Sequence, residues 1–220
     1  MRFSLRPGLS YCLIDGRPIF LDTERDRYFR LAEPLEDAFL SFLSGTSDHA
    51  FTQRLLDRAI LVPGPPTTHP DLGVPRPTHS VIELTAGGAS VEPAAMLLVF
   101  AIVWGTRRRL RRHTLGAVLE GVVREREAAR RLAPLSLDEA QVIEASAGFA
   151  RSRLWVPVET SCLLDSLALT RYLARRGMAG NIVFGVTDFP FAAHCWVQVD
   201  DLVLNDTVGN TMAYMPIRVV

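Results

Sequence analysis

The chain has 220 residues, 48% of them hydrophobic and 22% charged, and its 24 basic residues balance its 24 acidic residues. This composition is globular, and the zero net charge excludes a global field that would recruit nucleic acid or acidic lipid. Three cysteines, Cys12, Cys162 and Cys195, are too few and too scattered for a disulfide framework or a zinc site. We therefore expect no metal and no other cofactor.

The first 62 residues predict a small domain of three strands plus helices. SYCLIDG, RPIFLD and DRYFRL are rich in aromatic and β-branched residues, and Asp15-Gly16 is a strong hairpin signal between the first two. Two amphipathic helices follow, the first opened by Pro34 and the second capped by Ser47 or Asp48.

The segment 63–80 contains six prolines. Proline lacks the amide donor and restricts the residue before it, so regular structure is not expected here. We predict a semi-rigid linker and place the domain boundary in it.

Residues 94–104, AAMLLVFAIVW, form the most apolar run. A transmembrane helix requires about 20 apolar residues, so we predict a buried helix and no integral membrane segment. The alternative is an interfacial helix whose basic end, RRRLRR at 107–112, touches a membrane or a partner. The N-terminus has no apolar signal core, so we expect a cytoplasmic protein with reduced thiols.

The second domain, 81–220, changes from helical to strand periodicity along its length. Helices are predicted at roughly 92–112, at 114–132, at 137–152 with Ser136 as the cap, and from Cys162 to Gly177. From residue 181 the period is two, and NIVFGVT, HCWVQV, LVLND and YMPIRVV read as antiparallel strands. Helices followed by strands indicate an α+β fold with the helices packed on a small antiparallel sheet.

Cys162 is the candidate nucleophile. Thr160 and Ser161 can cap its helix, and in the first helical turn the unpaired amides and the helix dipole favour a thiolate. His194 is the histidine that lies in a strand of the same domain, where it can serve as the base. Cys12 and Cys195 are predicted to be core residues, with Cys195 alternating away from His194.

The group that orients His194 depends on the register of the last hairpin. A loop of odd length such as 199–201 places Asp206 opposite His194, whereas pairing residue 199 with 202 gives Asn205 the histidine's face. We favour Asp206, because a carboxylate stabilises an imidazolium better than an amide does. A backbone amide near Cys162 and one unassigned donor would form the oxyanion hole. The residues alone leave a cysteine acyl-transfer enzyme and a non-catalytic α+β domain equally open.

The segments CLLDSLALTRYLARRGM and FPFAAHCWVQVDDLVLND resemble the lasso peptide B proteins. These are transglutaminase-like (papain-like) cysteine peptidases that remove the leader from ribosomally made precursor peptides. The resemblance implies that Cys162, His194 and Asp206 are catalytic. The chain departs from the family at Cys195, where alanine is common, and at Asp201, where glycine is usual.

The N-terminal unit, with GRPIFLDTERDRYFRL and two helices, resembles a RiPP recognition element, a winged-helix-like domain that binds leader peptides. The leader would add as a strand beside the third strand and place apolar anchors against the last helix. The implied leader-binding residues are Arg27, Tyr28, Phe29, Leu31, Leu55 and Leu56.

Together these resemblances imply a leader peptidase that hydrolyses the leader–core bond before a cyclase resembling asparagine synthetase closes the macrolactam. The expected partners are the precursor peptide and that cyclase. The alternatives are a non-catalytic leader-binding escort, an acyltransferase or transglutaminase of the same superfamily, and a general peptidase.

Overall fold

Asp15 and Gly16 have positive φ angles of 51° and 78° and form the two-residue turn that the sequence predicts. The turn joins β2 (Leu9–Ile14) to β3 (Arg17–Asp22), which pair in antiparallel register. The computed structural model describes residues 3–65, 72–85, 92–132 and 138–220. The chain divides into two units, Met1–Leu72 and Gly73–Val220.

The first unit contains two small sheets and two helices. β4 (Arg27–Phe29) completes the sheet β2-β3-β4, and β1 (Phe3–Leu5) pairs with β5 (Leu61–Pro63) in a second sheet that the sequence did not predict. The helices are α1 (Glu33–Leu43) and α2 (His49–Asp57). Asp48 caps α2 by accepting a hydrogen bond from the Phe51 amide at 2.7 Å. The three strands and two helices are confirmed, while the winged-helix-like assignment stays a prediction.

Aromatic side chains form the centre of the first unit. Phe39 of α1 packs edge-on against Tyr11 and Phe20, with ring centroids 5.0 and 4.9 Å apart. Edge-to-face contacts suit the quadrupoles of aromatic rings, and all three side chains are fully buried. These contacts hold α1 against the β2–β3 hairpin.

The second unit is organised around one buried helix, α7 (Cys162–Ala174). Leu167, Ala168, Tyr172 and Leu173 are almost completely inaccessible to solvent. The other helices of this unit are α3 (Val81–Leu84), α4 (Pro93–Leu110), α5 (Leu115–Leu132), α6 (Glu139–Arg153) and α8 (Val208–Thr211). Asp138 caps α6 through the Ala140 amide, whereas the predicted cap, Ser136, lies outside the described residues.

The sheet of the second unit has five strands in the order β10-β7-β8-β9-β6. They are β6 (His79–Ser80), β7 (Asn181–Thr187), β8 (Ala192–Val199), β9 (Leu202–Val203) and β10 (Met215–Val219). The predicted fourth strand from the C-terminal tail is confirmed as β10. The prediction of a purely antiparallel sheet is wrong, because β6 pairs with β9 in parallel, and the strand predicted in LVLND ends at Val203.

The proline-rich segment 63–80, predicted to be a semi-rigid linker, has regular structure at both ends. Pro63 belongs to β5, and residues 73–80 are held on the second unit. The Pro75 carbonyl accepts a hydrogen bond from Gln198 Nε2 at 2.8 Å, and the Thr78 amide donates to the Asp201 carbonyl at 2.9 Å. The expectation that 63–80 lacks regular structure therefore fails at its two ends, which contribute to β5 and β6. Residues 66–71 lie outside the described part.

Helix α4 carries the apolar run and its basic end. Val99, Ile102 and Val103 are buried, as predicted, whereas Leu97, Phe100 and Trp104 are exposed on another face. Phe100 and Trp104 stack on each other with ring centroids 6.1 Å apart. Among the helices described, none combines the length and the apolar character needed to cross a bilayer.

The loop that leads into α7 is held by a buried ion pair. Arg153 Nε lies 2.6 Å from Asp165 Oδ1, and the same guanidinium donates to the carbonyls of Val156, Val158 and Glu159. One side chain at the end of α6 thus fixes both the loop and the first turn of α7.

Replacing Arg153 by methionine is expected to lower the free energy of unfolding of the second unit by about 2–4 kcal/mol, because it leaves a partly buried carboxylate and three carbonyls without their partner. All three tryptophans lie in this unit, so tryptophan fluorescence during urea unfolding measures it selectively. The matched control is Arg124→Met, whose ion pair with Glu120 is 71% exposed on both sides and contributes about 0.5 kcal/mol or less. Equal effects of the two variants would contradict this assignment.

Candidate active site

Cys162 is the first residue of α7 and is exposed to solvent. Ser161 caps the helix, since its hydroxyl accepts a hydrogen bond from the Leu164 amide at 3.2 Å. The cap leaves the amides of the first turn near the thiol, where the helix dipole favours negative charge. Cys162 therefore lies in the first turn of a capped helix, as the sequence predicts.

His194 Nε2 is hydrogen-bonded to Asp206 Oδ2, but the route by which the chain achieves this differs from the prediction. Val199 pairs with Leu202, which is the register that was expected to remove Asp206 from the histidine's face. The predicted register is wrong. The contact forms because the chain leaves the strand after Val203 and bends, so strand alternation no longer determines where residue 206 lies.

Asn205, the alternative partner of His194, is used elsewhere. Its Oδ1 accepts the Val197 amide at 2.7 Å, in place of a ladder hydrogen bond, and its Nδ2 donates to Ser166 Oγ at 3.0 Å. Both ends of the amide are therefore occupied in tying β8 to α7. These two hydrogen bonds of Asn205 hold the chain in the bend after β9, and the bend places Asp206 next to His194.

The Asp206 carboxylate is held by three donors. Oδ1 accepts the Thr207 amide at 2.7 Å, and Oδ2 accepts Asn210 Nδ2 at 2.8 Å as well as the His194 hydrogen bond. Burial alone would raise the pKa of Asp206, but these hydrogen bonds outweigh it and lower the pKa. Ser80 Oγ also donates to the Asp206 carbonyl at 2.6 Å. Asp206 is thus fixed as an anion by both its backbone and its side chain.

Ser80 and Asn210 were not predicted from the sequence. Ser80 reaches Asp206 only because β6 pairs with β9, a contact between distant parts of the chain. Asn210 is placed by α8, in which Thr207 Oγ1 caps the Asn210 amide at 3.2 Å. The Thr207-x-x-Asn210 spacing is a cap signal that could have indicated this short helix.

Aromatic rings set the orientation of the His194 ring. Measured between ring centroids, Tyr214 lies 5.1 Å from it and Trp196 lies 6.2 Å from it. Gly185 pairs opposite His194 in the sheet. A Cβ at Gly185 would come within 2.8 Å of Tyr214 Cβ and 3.0 Å of Trp196. The glycine therefore leaves the space that both rings occupy.

The pKa values of Cys162 and His194 favour a thiolate–imidazolium pair. Hydrogen bonds from the Cys195 thiol and then from His194 lower the pKa of Cys162 to about 4, against the opposing effect of burial. The hydrogen bond to Asp206, followed by that to Cys162, raises the pKa of His194 to about 9. Because Nε2 is engaged with Asp206, Nδ1 is the nitrogen left for Cys162. Between these two pKa values the nucleophile is already deprotonated and the histidine can supply a proton.

The prediction that Cys195 is a core residue is confirmed, but the residue also affects Cys162. Cys195 is buried, with 3% of its surface exposed, and hydrogen bonding from its thiol and its backbone lowers the pKa of Cys162. The opposite face of β8 packs against the start of α7, so a residue that alternates away from His194 meets the nucleophile there. Alternation alone could not reveal this contact.

The residues predicted to bind a leader peptide lie in the first unit. Arg27, Tyr28 and Phe29 form β4, an edge strand of the sheet β2-β3-β4. Leu31 and Leu56 are half-buried against the core of this unit. Leu55 is fully buried, so its side chain belongs to the core and is not available at a binding surface.

A thiol at a capped helix start, a histidine and a fixed carboxylate are the groups that thiol-dependent acyl transfer requires. The model of the transglutaminase-like superfamily matches residues 96–219, more than half of the chain, and the chain belongs to this superfamily. It is also similar to the microcin J25-processing protein McjB of Escherichia coli, with 42% identity over 48 residues. That match spans 22% of this chain and 23% of the relative. No solved structure matches.

The thiolate–imidazolium pair predicts an unusual pH dependence of alkylation. Iodoacetamide should label Cys162 at a nearly constant rate from about pH 5 to 8. An ordinary thiol with a pKa near 8.5 reacts roughly tenfold more slowly for each unit by which the pH falls across that range. Because the pKa of Cys162 is lowered, the thiolate is lost only as the pH falls through about 4.

His194→Ala removes the cationic partner and should reduce the labelling rate at about pH 6 by roughly 10- to 100-fold. His113→Ala, at an exposed histidine, is the control and should behave as wild type. The rate is measured by mass spectrometry of the Cys162 peptide. A wild-type profile that rises with a midpoint near pH 8.5 would contradict the ion pair.

Proposed function

We propose that this protein is a cysteine peptidase that removes the leader from a lasso peptide precursor. The observation that supports it most directly is the contact of Cys162, His194 and Asp206 in a transglutaminase-like domain. The similarity to a protein that processes microcin J25 supports a peptide precursor as the substrate. The resemblance to lasso peptide B proteins supports the same assignment.

In the proposed reaction the Cys162 thiolate attacks the scissile carbonyl of the leader–core bond and forms a tetrahedral intermediate. His194, protonated at the start, donates its proton to the leaving amine of the core, which leaves an acyl-thiol on Cys162. Neutral His194 then takes a proton from water, whose oxygen attacks the thioester and releases the leader acid. Asp206 stabilises the imidazolium form and holds the ring tautomer throughout.

The first unit is proposed to bind the leader. β4 is an edge strand, and an edge strand offers backbone donors and acceptors to an added peptide strand. Phe29 stacks on Phe20 of the core, with ring centroids 5.2 Å apart, and Leu31 and Leu56 line the same core. Binding through a leader far from the reacting bond raises the effective concentration of a weakly bound scissile segment. Specificity would then reside in the first unit and chemistry in the second.

The cleavage test uses the precursor, a leaderless version of it, and the full-length protein. Wild type is expected to release a core with a free amine, and Cys162→Ala to release none, since no nucleophile remains. Mass spectrometry of the products distinguishes hydrolysis from transfer to an added amine, which would indicate a transglutaminase. Normal maturation by Cys162→Ala would instead indicate a leader-binding escort, and equal cleavage of the leaderless peptide a general peptidase.

Leader binding is tested by Leu56→Glu, which places a charge at the margin of the apolar core. The half-saturating precursor concentration is expected to rise at least about tenfold with little change in the rate at saturation, because the lost contacts are remote from the reaction. Fluorescence anisotropy of a labelled leader measures binding directly. Gln53→Ala, on the exposed side of the same helix, is the control, and unchanged affinity of Leu56→Glu would count against this binding site.

The proposed product, a linear core, would pass to a cyclase that resembles asparagine synthetase. The exposed Leu97, Phe100 and Trp104, together with the basic end of α4, are the surface we propose for that partner. Apolar and arginine-rich surfaces are typical of protein contacts. Adding the cyclase and ATP should consume the linear core. If Trp104→Ser retains peptidase activity but its linear core is no longer consumed by the cyclase, the contact lies at this surface. A core that stays linear in the presence of the cyclase would rule out the partnership.

A further inference from the structure

The active site contains a second thiol that the proposed peptidase reaction does not use. The Cys195 thiol hydrogen-bonds to Ser166, which lies one helical turn after Cys162 in α7, and a hydrogen bond between the two thiols lowers the pKa of Cys162. Cys195 is buried, whereas Cys162 is exposed. Two neighbouring thiols, one accessible and reactive and the other buried, are the arrangement of a redox-sensitive thiol beside a resolving cysteine.

Cys195 is held in this position by a chain of hydrogen bonds. Ser166 Oγ donates to the Cys195 carbonyl at 3.2 Å, and the Cys195 sulfur lies 3.9 Å from the same hydroxyl. Asn205 Nδ2 donates to Ser166 Oγ at 3.0 Å. These hydrogen bonds hold strand β8 against helix α7 at Cys195 and Ser166, one turn after Cys162. The sulfur of Cys195 therefore has a fixed place next to Cys162.

The two thiols differ in the way that sequential oxidation requires. Cys162 is a thiolate at neutral pH, and thiolates are the form that peroxides oxidise. The hydrogen bond to Cys162, then burial, then the Cys162 charge hold the pKa of Cys195 well above its usual range. Oxidation of Cys162 to a neutral sulfenic acid removes the charge that opposes ionisation of Cys195, so the second thiol becomes reactive only after the first has been oxidised.

We propose that Cys162 and Cys195 form a reversible disulfide when a hydroperoxide oxidises Cys162. The Cys162 thiolate attacks one oxygen of hydrogen peroxide, the O–O bond breaks, and after protonation the products are Cys162–SOH and water. The Cys195 sulfur then attacks the Cys162 sulfur, the S–O bond breaks, and the hydroxide leaves as water with the proton of Cys195. Overall, two thiols and one hydrogen peroxide give one disulfide and two waters.

A dithiol can reduce the disulfide and regenerate the Cys162 thiol. Without a neighbouring thiol, a sulfenic acid proceeds to the sulfinic acid, which ordinary reductants do not reverse. The sulfur atoms must approach to about 2.05 Å to bond, and Cys162, in the first turn of α7 after a loop, is at the end of its element where such a movement is easiest. This inference requires only that Cys162 is nucleophilic and is independent of the substrate proposed for it.

The test treats full-length wild type and Cys195→Ala with a small excess of hydrogen peroxide and maps the tryptic peptides without reduction. Cys162 and Cys195 fall in different tryptic peptides, 154–171 and 177–218. Wild type is expected to give these two peptides cross-linked, with the mass lowered by two hydrogens, and dithiothreitol should restore labelling of Cys162 almost completely. Cys12, buried in the first unit, is the internal control and should remain a free thiol.

In Cys195→Ala the 154–171 peptide is expected to gain two oxygens instead, and dithiothreitol should restore less than about a tenth of its labelling, because a sulfinic acid resists thiols. Cys195→Ser should give the same result and checks that the outcome does not depend on packing at residue 195. Sulfinic acid on Cys162 in wild type at the level seen in Cys195→Ala, or a cross-link to Cys12, would overturn the proposal. The readout is peptide mass, so it stands apart from any failure to cleave a precursor.

Discussion

The active site depends on the hydrogen bonds that hold the N-terminal half of α7 against β8. The Ser166 hydroxyl, one turn into the helix, donates to the Cys195 carbonyl in the strand, and Asn205 donates to Ser166 in turn. Buried hydrogen bonds of this kind are costly to break, since each leaves a polar group without water. Cys162 lies in α7 and His194 lies in β8. The hydrogen bonds between the helix and the strand therefore set the distance between the candidate nucleophile and its base.

The position of the carboxylate illustrates how preorganisation is distributed over the chain. Ser80 holds the Asp206 backbone, while Thr207 and Asn210 hold its side chain. Ser80 belongs to a strand and lies 126 residues upstream of Asp206, whereas Thr207 and Asn210 belong to a short capped helix immediately downstream. An anion held by several oriented donors needs little rearrangement when the charge on His194 changes during a reaction. Residues 73–80 are hydrogen-bonded to the same sheet, so this part of the proline-rich segment helps to position Asp206.

Reactivity and protection of the thiol arise from the same contacts. The Cys195 thiol and His194 together favour the Cys162 thiolate, which is the form that attacks a carbonyl and also the form that peroxide oxidises. A site that ionises its nucleophile at neutral pH is therefore exposed to oxidation whenever it is open to solvent. A neighbouring buried thiol offsets that exposure without adding a charge of its own.

The residues alone determined a large part of this protein. The Asp15-Gly16 turn, the apolar stripes of the helices and the change from helical to strand period are local signals, and they correctly placed most elements of both units. The cap before Cys162 and the strand around His194 follow from the same local rules. These signals operate over a few residues, where backbone preference and side-chain periodicity dominate.

Only the tertiary structure decided how these elements meet. The hairpin register came out opposite to the expectation, and Asp206 still reached His194 because Asn205 takes over a ladder hydrogen bond and bends the chain. Strand alternation indicated that Cys195 faces away from His194, but the face it turns to is the one that packs against Cys162. The parallel pairing of β6 with β9 brings Ser80 to Asp206 across the chain. Such contacts depend on packing between distant segments, and no local pattern encodes which distant partner a side chain will find.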